Sequence, residues 1–418
     1  MIKRLIVSVM LFVGISSMAQ QSTSSPYSLY GLGLENFNGS IANRSLGGLS
    51  LYSDVVAPNL QNPATYSDIK LTSFGVGTTY TATNIIAEEG TGKGKATTLD
   101  YLAINIPAGK FGFGIGLRPY RSVGYDIECK GNDEVIGNFE QSLEGSGNVN
   151  RVYLGAGTEV YKGLKLGAEF QYNFGRLEEQ TTKFGETTFS TRVINQSDVS
   201  GVSYTLSAIY DYPIEKDFVM RSSLVYDFSS NIKSTNVQER ATVSSNNGII
   251  FAEEDSELFG DEFERKFQLP SRLSAGLSFT KLRKWFFGTE AYLTENNDFQ
   301  DRFEDREGVE YVDGFGVKVG GFYIPKFNSL TSYLSKVTYR AGLHYDSLGL
   351  EINGTDINEF GISFGLGLPL LREFSTLDVG FEVGSRGRVT DVLVKENYFA
   401  VSLGLSLGQK WFKQRKFD

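Results

Sequence analysis

The sequence has little of what disulfides, metal centres and helical membrane spans require. Its 418 residues include only one cysteine, one histidine and nine prolines. One cysteine forms no intrachain disulfide, and together with one histidine it provides no thiol-rich or histidine-rich metal site. No apolar run reaches the roughly 20 residues that a transmembrane helix needs. These shortages exclude a disulfide-stapled fold, a Cys/His metal centre and a helical membrane protein, and no cofactor is expected.

A basic surface is also missing. The chain carries 40 Lys and Arg residues against 49 Asp and Glu residues, a formal net charge of -9. Nucleic-acid binding depends on clustered positive charge that neutralises phosphates. No nucleic-acid partner is therefore expected.

Glycine and aromatic residues are abundant instead. The sequence contains 47 Gly, 22 Tyr and 31 Phe. Length alone would suggest about two or three soluble domains. The combination of many glycines and aromatics with few prolines indicates many strands joined by tight turns.

The N-terminus has the pattern of a secretory signal peptide. Lys3 and Arg4 are positively charged, residues 5–15 are apolar, and residues 17–19 (Ser-Met-Ala) form a small-residue cleavage site. The predicted signal peptide covers residues 1–19, so the mature chain begins at Gln20 and is exported.

The rest of the chain alternates between apolar and small or polar residues with the period of two that β-strands have. In residues 110–117, Phe111, Phe113, Ile115 and Leu117 alternate with three glycines. A soluble β-sandwich also alternates, but its outward face carries many charges. Here one face is apolar and aromatic, whereas the other consists of glycine, small polar residues and a few charges, as in a barrel standing in lipid around a polar lumen.

The predicted fold is therefore all-β, a transmembrane antiparallel β-barrel of about 14 strands over residues 69–409, with an N-terminal hatch. The location is the bacterial outer membrane, in contact with membrane lipid and lipopolysaccharide. Aromatics near the predicted strand ends are expected to form an interfacial girdle facing outward; they are Tyr204, Tyr210, Tyr212, Tyr226, Trp285, Tyr323 and Tyr398. The strands are predicted to begin near Ile69, Thr98, Lys110, Asn148, Leu164, Gly201, Phe218, Leu269, Lys284, Tyr311, Val337, Ile357, Thr376 and Asn397.

The lengths of the connectors between strands indicate how the barrel is oriented in the membrane. Outer-membrane barrels have short turns on the periplasmic side and long loops on the external side. Residues 107–109 and 161–163 read as short turns, and residues 84–96, 129–147, 176–200 and 229–268 read as long loops. Residues 325–336 are an exception at the short rim and are expected to form a helical turn or to plug the base.

The predicted long loops are acidic, with carboxylates clustered at residues 253–264 and 298–307. Such groups can bind divalent cations at the lipopolysaccharide surface. A solvated loop is the favoured interpretation, and contact with a protein partner through Phe251, Phe259 and Phe263 is a third.

Residues 20–68 do not follow the barrel pattern and form the predicted hatch. Small-residue motifs recur in this segment, among them Leu46-Gly47-Gly48 and Asn62-Pro63-Ala64, and the latter leads directly into the first strand. This order resembles the FadL/OmpP1 family of outer-membrane transport proteins, in the form found in Bacteroidota. The resemblance extends over nearly the whole mature chain and implies a 14-stranded barrel closed by an N-terminal hatch. It also implies that hydrophobic ligands pass the hatch and leave sideways through a kink in the third strand.

Arg118-Pro119 is the candidate for that lateral opening. Pro119 falls inside the third predicted strand, where it cannot donate a ladder hydrogen bond. A bulge there would open the wall locally. Two alternatives are that the third strand ends at this point, or that Pro119 lies above the membrane.

Alternation also points charged residues into the lumen. Ion pairs that brace the wall or hold the hatch are the favoured role, and a ligand-orienting role for Arg340 and His344 is the alternative. Catalysis is not expected, because no nucleophile motif accompanies the single histidine. The predicted lumen-facing residues are Glu159, Glu169, Arg272, Glu290, Arg340, His344 and Glu382.

Two functions fit this pattern. The first is uptake of small hydrophobic compounds, fatty-acid-like in character, through the hatch-plugged lumen. The second is a barrel that no longer transports and serves as a subunit of an outer-membrane protein assembly or secretion complex. In that case the acidic loops and the basic tail at residues 410–418 would be docking surfaces for protein subunits.

Overall fold

A computed structural model describes residues 22–410 apart from 36–38, 55–56, 134–136, 185–188, 245–249, 252–262, 297–305, 307, 371–373 and 391. The predicted signal peptide, residues 411–418 of the basic tail and most of the two acidic clusters lie outside the described residues.

The described chain is mostly β-strand, with a few short helical turns before and between strands. The helical elements are the α-helix α1 (Ile41–Arg44) and the 3-10 helices η1 (Pro26–Leu29), η2 (Pro63–Asp68) and η3 (Leu334–Lys336). In the described part of the chain, no helix has the length and apolar character needed to cross a membrane. The strands are β1 (Leu34–Glu35), β2 (Thr72–Ile86), β3 (Thr91–Ala108), β4 (Phe111–Asp133), β5 (Gly137–Tyr161), β6 (Leu164–Phe184), β7 (Phe189–Glu215), β8 (Phe218–Asp227), β9 (Ser230–Ser244), β10 (Ile250–Phe251), β11 (Phe263–Leu269), β12 (Ser271–Lys281), β13 (Trp285–Glu295), β14 (Val309–Tyr311), β15 (Gly314–Tyr323), β16 (Thr338–Ile352), β17 (Thr355–Pro369), β18 (Ser375–Arg386) and β19 (Lys395–Gln409).

The strands close into one antiparallel barrel. Each wall strand pairs with its neighbours in chain order, and β19 pairs with β2 from Lys395↔Ile86 to Gln409↔Thr72. Four short strands continue a neighbour in the wall: β9 extends β8, β10 and β11 extend β12, and β14 extends β15. The wall therefore has fourteen strands, and the predicted strand number and all-β barrel class are confirmed.

The two faces of the wall reverse the arrangement of a soluble protein. In β6, Leu166, Phe170 and Tyr172 are exposed on the outside, whereas Glu169 and Gln171 between them are buried. Exposed apolar residues and buried charged ones are typical of a barrel whose outside faces lipid. The apolar band occupies the half of the wall nearest the short turns.

Most of the predicted long loops are strand instead. Strands β2 and β3 are separated only by residues 87–90, and β4 to β7 run up to 27 residues, so residues 84–96, 129–147 and 176–200 mostly continue the ladder. About ten residues suffice to cross a bilayer, so these strands extend well beyond the apolar band. The apolar residues in their outer parts, such as Val123, Tyr125, Leu177 and Val199, are buried on the inside, so these parts lack the exposed apolar face that marks the rest of the wall.

One member of the predicted girdle faces the other way. Tyr398 donates a hydrogen bond to Glu359 Oε1 at 2.7 Å inside the lumen. Its neighbour Phe399 is exposed on the outside. Because successive strand residues point to opposite faces, Tyr398 is a lumen residue and its assignment to the girdle was wrong.

Candidate functional site: the hatch and the wall gap

Inside the barrel wall lie residues 22–71, apart from 36–38 and 55–56; this segment corresponds to the predicted hatch (residues 20–68) and is called the hatch below. Its apolar side chains form buried clusters together with apolar residues of the wall, such as Tyr153, Leu177 and Phe286. The hatch side chains with 0% exposure are Leu32, Ile41, Leu46, Leu49, Leu51 and Leu60.

Glycines on the inner wall leave room for the hatch backbone. A Cβ at Gly167 would lie 2.2 Å from the backbone nitrogen of Ala64, and one at Gly342 would lie 2.1 Å from that of Gly47. Both distances are far below any van der Waals contact, so a side chain at either position would displace the hatch. The glycine excess is thus a consequence of the space that the hatch occupies.

The segment Leu46-Gly47-Gly48 turns the chain back after α1. Gly47 and Gly48 have φ values of +74° and +79°, which side chains other than glycine rarely adopt. The Gly47 amide donates to Ser363 Oγ at 3.0 Å, so the turn is fixed to β17. Leu46 is fully buried beneath it.

The segment Asn62-Pro63-Ala64 starts η2 and fixes it to the wall. Asn62 is the N-cap and accepts a hydrogen bond from the Ala64 amide, while Pro63 occupies the first turn, where no N–H is needed. Asn62 Nδ2 donates to Ser223 Oγ, and the Ala64 amide also donates to Ser207 Oγ, each at 2.8 Å. These contacts join the hatch to β7 and β8.

An ionic cluster secures the end of η2 at the short-turn rim. Asp68 of the hatch pairs with Lys165 of β6 and with Arg221 of β8, the latter at 2.9 Å. Both cations also pair with Asp211 of β7 at 2.6 Å. Burial alone would raise the pKa of the Asp68 carboxyl, but the charges of Arg221 and Lys165 outweigh it and hold that pKa below its usual range.

Glu169 binds a hatch side chain and Arg118 together. It accepts from the Tyr66 hydroxyl at 3.0 Å and from Arg118 Nη2 at 2.7 Å, and all three residues are buried. Arg118 therefore lies inside the lumen, on the ladder that Pro119 interrupts.

Arg272 and Glu290 hold the middle of the hatch. The guanidinium of Arg272 donates to both carboxylate oxygens of Glu35, at 3.0 and 2.7 Å. Burial alone would raise the Glu35 pKa, but Arg272 lowers it to about 2. Glu290 Oε2 accepts from the amide and the hydroxyl of Ser50 at 2.8 and 2.7 Å.

Two further groups of ion pairs lie on the opposite side of the wall, one around Glu382 and one around Arg340. Glu382 approaches Arg44 of the hatch at 3.4 Å and His344 Nε2 at 3.3 Å. Arg340 pairs with Asp378 at 2.6 Å, and both side chains are 2% exposed. These contacts favour bracing over ligand orientation for Arg340 and His344.

Glu159 stands apart from the other lumen residues that the sequence singled out. It is exposed at the short-turn rim, where its carboxylate accepts from the Gly163 amide at 2.9 Å. It therefore caps the β5–β6 turn and does not contribute to the buried lumen.

The wall is open between β3 and β4 above the level of Pro119. Their ladder runs from Ala108↔Phe111 only to Leu102↔Leu117. Both strands continue beyond this point, and their described residues pair there with their other neighbours, β2 and β5. We call the unpaired stretch the wall gap.

Two bulges flank the wall gap. On β4 the register shifts between Pro119 and Arg121, which leaves Tyr120 unpaired. On β3 the pairing with β2 skips Asp100. Bulges bend strands and increase their twist, so these two turn the strand edges apart. The third strand continues past the proline, which rules out the alternative that it ends there.

The start of the hatch covers the wall gap from inside. Strand β1 pairs with β4 through Leu34↔Ser122 and Glu35↔Arg121, in the place that β3 leaves open. Ser28 exchanges hydrogen bonds with Gly124 at 3.0 and 3.1 Å. On the other edge, a Cβ at Gly94 of β3 would lie 2.5 Å from that of Ser24. Residues 22–35, the N-terminal segment, thus lie across both edges.

Two cavities meet at this segment. One, of about 200 Å³, lies in the wall gap and is lined by Leu99, Leu117 and Pro119 and by six polar or charged residues, among them Arg118 and Asn148. The other, of about 160 Å³, lies in the lumen and is mostly polar, with charged residues such as Arg44, Glu382 and Arg386. Ser22 and Thr98 line both cavities.

The fold and the plugged lumen define a class of protein: a bacterial outer-membrane β-barrel closed by an N-terminal hatch. Within this class the chain belongs to the BamG family, whose family model matches residues 1–418. A comparison with curated proteins found no match.

Solved structures with this fold include hydrocarbon channels. The monoaromatic hydrocarbon channel CymD is 14% identical with a TM-score of 0.57, covering 91% of this chain and 100% of that one. The Pseudomonas putida toluene transporter TodX is 16% identical with a TM-score of 0.57, covering 90% and 99%. A FadL homologue of Pseudomonas aeruginosa is 13% identical with a TM-score of 0.58, covering 88% and 98%. At these identities the similarity establishes a shared fold, so the expected FadL-like fold is confirmed while the family carries the name BamG.

Several residues that hold the site were not singled out from the sequence. Glu35, Arg44 and Asp68 are hatch residues whose partners lie on distant strands; Glu35 and Arg272 are 237 positions apart. Only the concentration of small residues around them marked this segment as special. Charged residues inside this small-residue segment could have been recognised as site residues, because a charge that is buried needs a partner of opposite charge.

Proposed function

We propose that the barrel takes up small hydrophobic compounds, which pass the hatch and leave sideways through the wall gap. The observation that carries this proposal is the end of the β3–β4 ladder at Leu102↔Leu117, at the upper edge of the apolar band. A hydrophobic compound released there enters the lipid without crossing the polar outer parts of the wall.

The two adjoining cavities support a ligand that is fatty-acid-like. At the wall gap, Leu99, Leu117 and Pro119 offer contacts to an apolar body beside polar side chains, and the lumen cavity contains cations, paired with carboxylates, that can attract a polar head. An apolar cavity of about 150 Å³ holds a benzene ring, so the space of about 200 Å³ at the gap accommodates a small apolar group.

Uptake by cells that lack their own hydrocarbon transporters tests the proposal. Pro119→Ala restores an N–H to β4, so the ladder can lengthen and uptake of a labelled fatty acid or of toluene is expected to fall. Pro107→Ala is the matched control, since Pro107 pairs with Gly112 near the short turns, away from the gap. Unchanged uptake in a folded Pro119→Ala variant would count against the lateral route.

A second function is favoured by the polarity of the lumen. The cavity above the hatch is lined by charged and hydroxyl side chains, and ion pairs hold the hatch at several levels. Ligand sites for apolar compounds are mostly apolar. The second proposal is therefore a fixed, non-transporting subunit of an outer-membrane protein assembly or secretion complex, without enzymatic activity.

Purification in a mild detergent separates the two proposals. A transporter should be isolated without stoichiometric protein partners and with a hydrophobic compound bound. Co-purification of large subunits at fixed stoichiometry, together with uptake equal to that of cells without the protein, would favour the fixed subunit.

A further inference from the structure

The loop between β15 and β16, residues 324–337, exposes an unusual amount of apolar surface. Leu330 is 97% exposed and Leu334 is 68% exposed, and Phe327 and Tyr333 are about half exposed. We call this segment the rim loop. Several large apolar side chains exposed together in water are unfavourable, so a surface of this kind indicates contact with another apolar phase.

Hydrogen bonds hold the rim loop in one place. The Ile324 amide donates to the Lys284 carbonyl at 2.7 Å, and the Lys326 amide donates to the Ser335 carbonyl at 2.8 Å. Within the loop, η3 provides the helical turn that the sequence allowed. The rim loop therefore has a defined conformation at the short-turn rim.

The rim loop lies against the outside of the wall. The Tyr339 hydroxyl donates to the Leu334 carbonyl at 3.1 Å. Tyr339 is exposed on the outer face, while the adjacent Arg340 is buried in the lumen. The Tyr333 hydroxyl donates to the Pro369 carbonyl of the next strand at 3.1 Å. The exposed part of the loop thus borders the lipid-facing band.

Positive charge lies beside the apolar side chains, while Glu215 and Asp217 lie in the next turn along the rim. The rim loop and the neighbouring turn at residues 281–284 contain no Asp or Glu, in a chain whose net charge is -9. Arg283 lies over the Phe327 ring, with its guanidinium carbon 5.1 Å from the ring centre. The cations of these two segments are Lys281, Arg283, Lys284, Lys326 and Lys336.

We propose that the rim loop is a binding site for anionic phospholipid in the leaflet at the short-turn rim, which is the periplasmic leaflet of an outer membrane. Leu330 and Leu334 insert among the acyl chains, and the lysines and Arg283 contact the phosphates. Apolar and aromatic side chains flanked by cations are the composition of membrane-interface anchors. Continuity with the lipid-facing band favours lipid over a protein partner, and the site is independent of whether the barrel transports.

Tryptophan quenching by brominated lipids tests the insertion. The full chain would carry Leu330→Trp with Trp285→Phe and Trp411→Phe, so that the new side chain is the only tryptophan. In vesicles containing phosphatidylglycerol brominated on its acyl chains, strong quenching of this tryptophan is expected. Lys162→Trp in the same background is the control, because Lys162 is exposed in the β5–β6 turn at the same rim and is expected to escape quenching.

The headgroup preference is tested in the same vesicles. At equal mole fractions, brominated phosphatidylglycerol should quench Leu330→Trp about twofold or more better than brominated phosphatidylcholine. Adding Lys326→Gln and Lys336→Gln should remove the difference, whereas Lys162→Gln should leave it. Absence of quenching by either lipid, with the tryptophan open to acrylamide, would overturn the proposal. Equal quenching by both lipids would also overturn it, and protection only after a protein subunit is added would assign the loop to protein docking.

Discussion

At the scale of single residues, glycine determines where the hatch can lie. Gly342 of β16 is in contact with the turn at Gly47, and a Cβ there would lie 2.1 Å from a backbone nitrogen of the hatch. The wall at this point is part of a continuous ladder with β15 and β17 and cannot yield easily. A side chain at position 342 therefore moves the hatch before it moves the wall.

Gly342→Val is expected to lower the free energy of unfolding by about 1–3 kcal/mol, the usual effect of overpacking. Hydrogen exchange should become faster in residues 41–51 of the hatch, while the β2–β19 seam keeps its protection. Gly90→Val is the matched control, since no atom of the described residues lies within 4 Å of a Cβ at Gly90. Equal exchange in the two variants would show that the hatch does not need this glycine.

The Glu35–Arg272 pair makes hatch docking depend on pH. The Glu35 pKa of about 2 in the folded state lies below the value of about 4.3 in an unfolded chain. A group whose pKa is lowered by folding stabilises the fold above its unfolded pKa and loses that contribution as pH falls through its folded pKa. Protection of residues 26–35 against hydrogen exchange should thus be constant from about pH 7 to 5 and fall between about pH 4 and 2.

Glu35→Gln supplies the comparison for this titration. The variant should show reduced protection at neutral pH, because the charge-assisted bonds to Arg272 are weakened. The difference between wild type and variant should vanish near pH 2. A difference that stays constant down to that pH would contradict the role given to Glu35.

At the scale of elements, β1 substitutes for β3 as the partner of β4. The N-terminal segment covers a wall gap that the strands themselves leave open. Replacing residues 22–28 by a Gly/Ser sequence of equal length should therefore increase the permeability of cells to bulky hydrophobic dyes. The barrel should still fold, since β19 and β2 close it without help from this segment. Unchanged permeability with a folded barrel would mean that another part of the hatch seals the gap.

The sequence predicts elements where one face is apolar and fails where it is not. The fourteen wall strands could be counted because Phe, Leu and Tyr alternate with glycine in the lipid-facing band. The outer parts of β4 to β7 lack an exposed apolar face and carry only scattered buried apolar residues, such as Val123, Leu177 and Val199. Their hydrogen bonds to neighbouring strands, which no local sequence pattern reveals, decide their structure. Pro119 was identifiable because proline lacks an N–H, whereas the bulge at Asp100 on the opposite edge leaves no such trace.

At the scale of the whole molecule, the barrel and its hatch share several buried hydrophobic clusters. Hatch leucines pack there against wall residues such as Leu177 and Phe286, and glycines, hydroxyls and ion pairs of the wall also bind the hatch. Contacts of this kind join residues hundreds of positions apart, such as Ser25 and Glu396, and could not be predicted from spacing. The start of the segment inside the lumen also covers the wall gap, so the proposed lateral route requires residues 22–35 to move.

A reversible cross-link between the N-terminal segment and β3 tests the proposed exit through the wall gap most directly. Ser24→Cys and Gly94→Cys, with Cys129→Ser, place two thiols on the N-terminal segment and on β3, where their Cβ atoms would lie about 2.5 Å apart. A small outward shift of the N-terminal segment brings them to the roughly 3.8 Å of a disulfide. Uptake of a labelled hydrophobic compound should be abolished after oxidation and restored by a reductant, while either single cysteine variant transports in both conditions. Uptake that is the same with the disulfide formed and reduced would contradict the proposal that the wall gap is the exit.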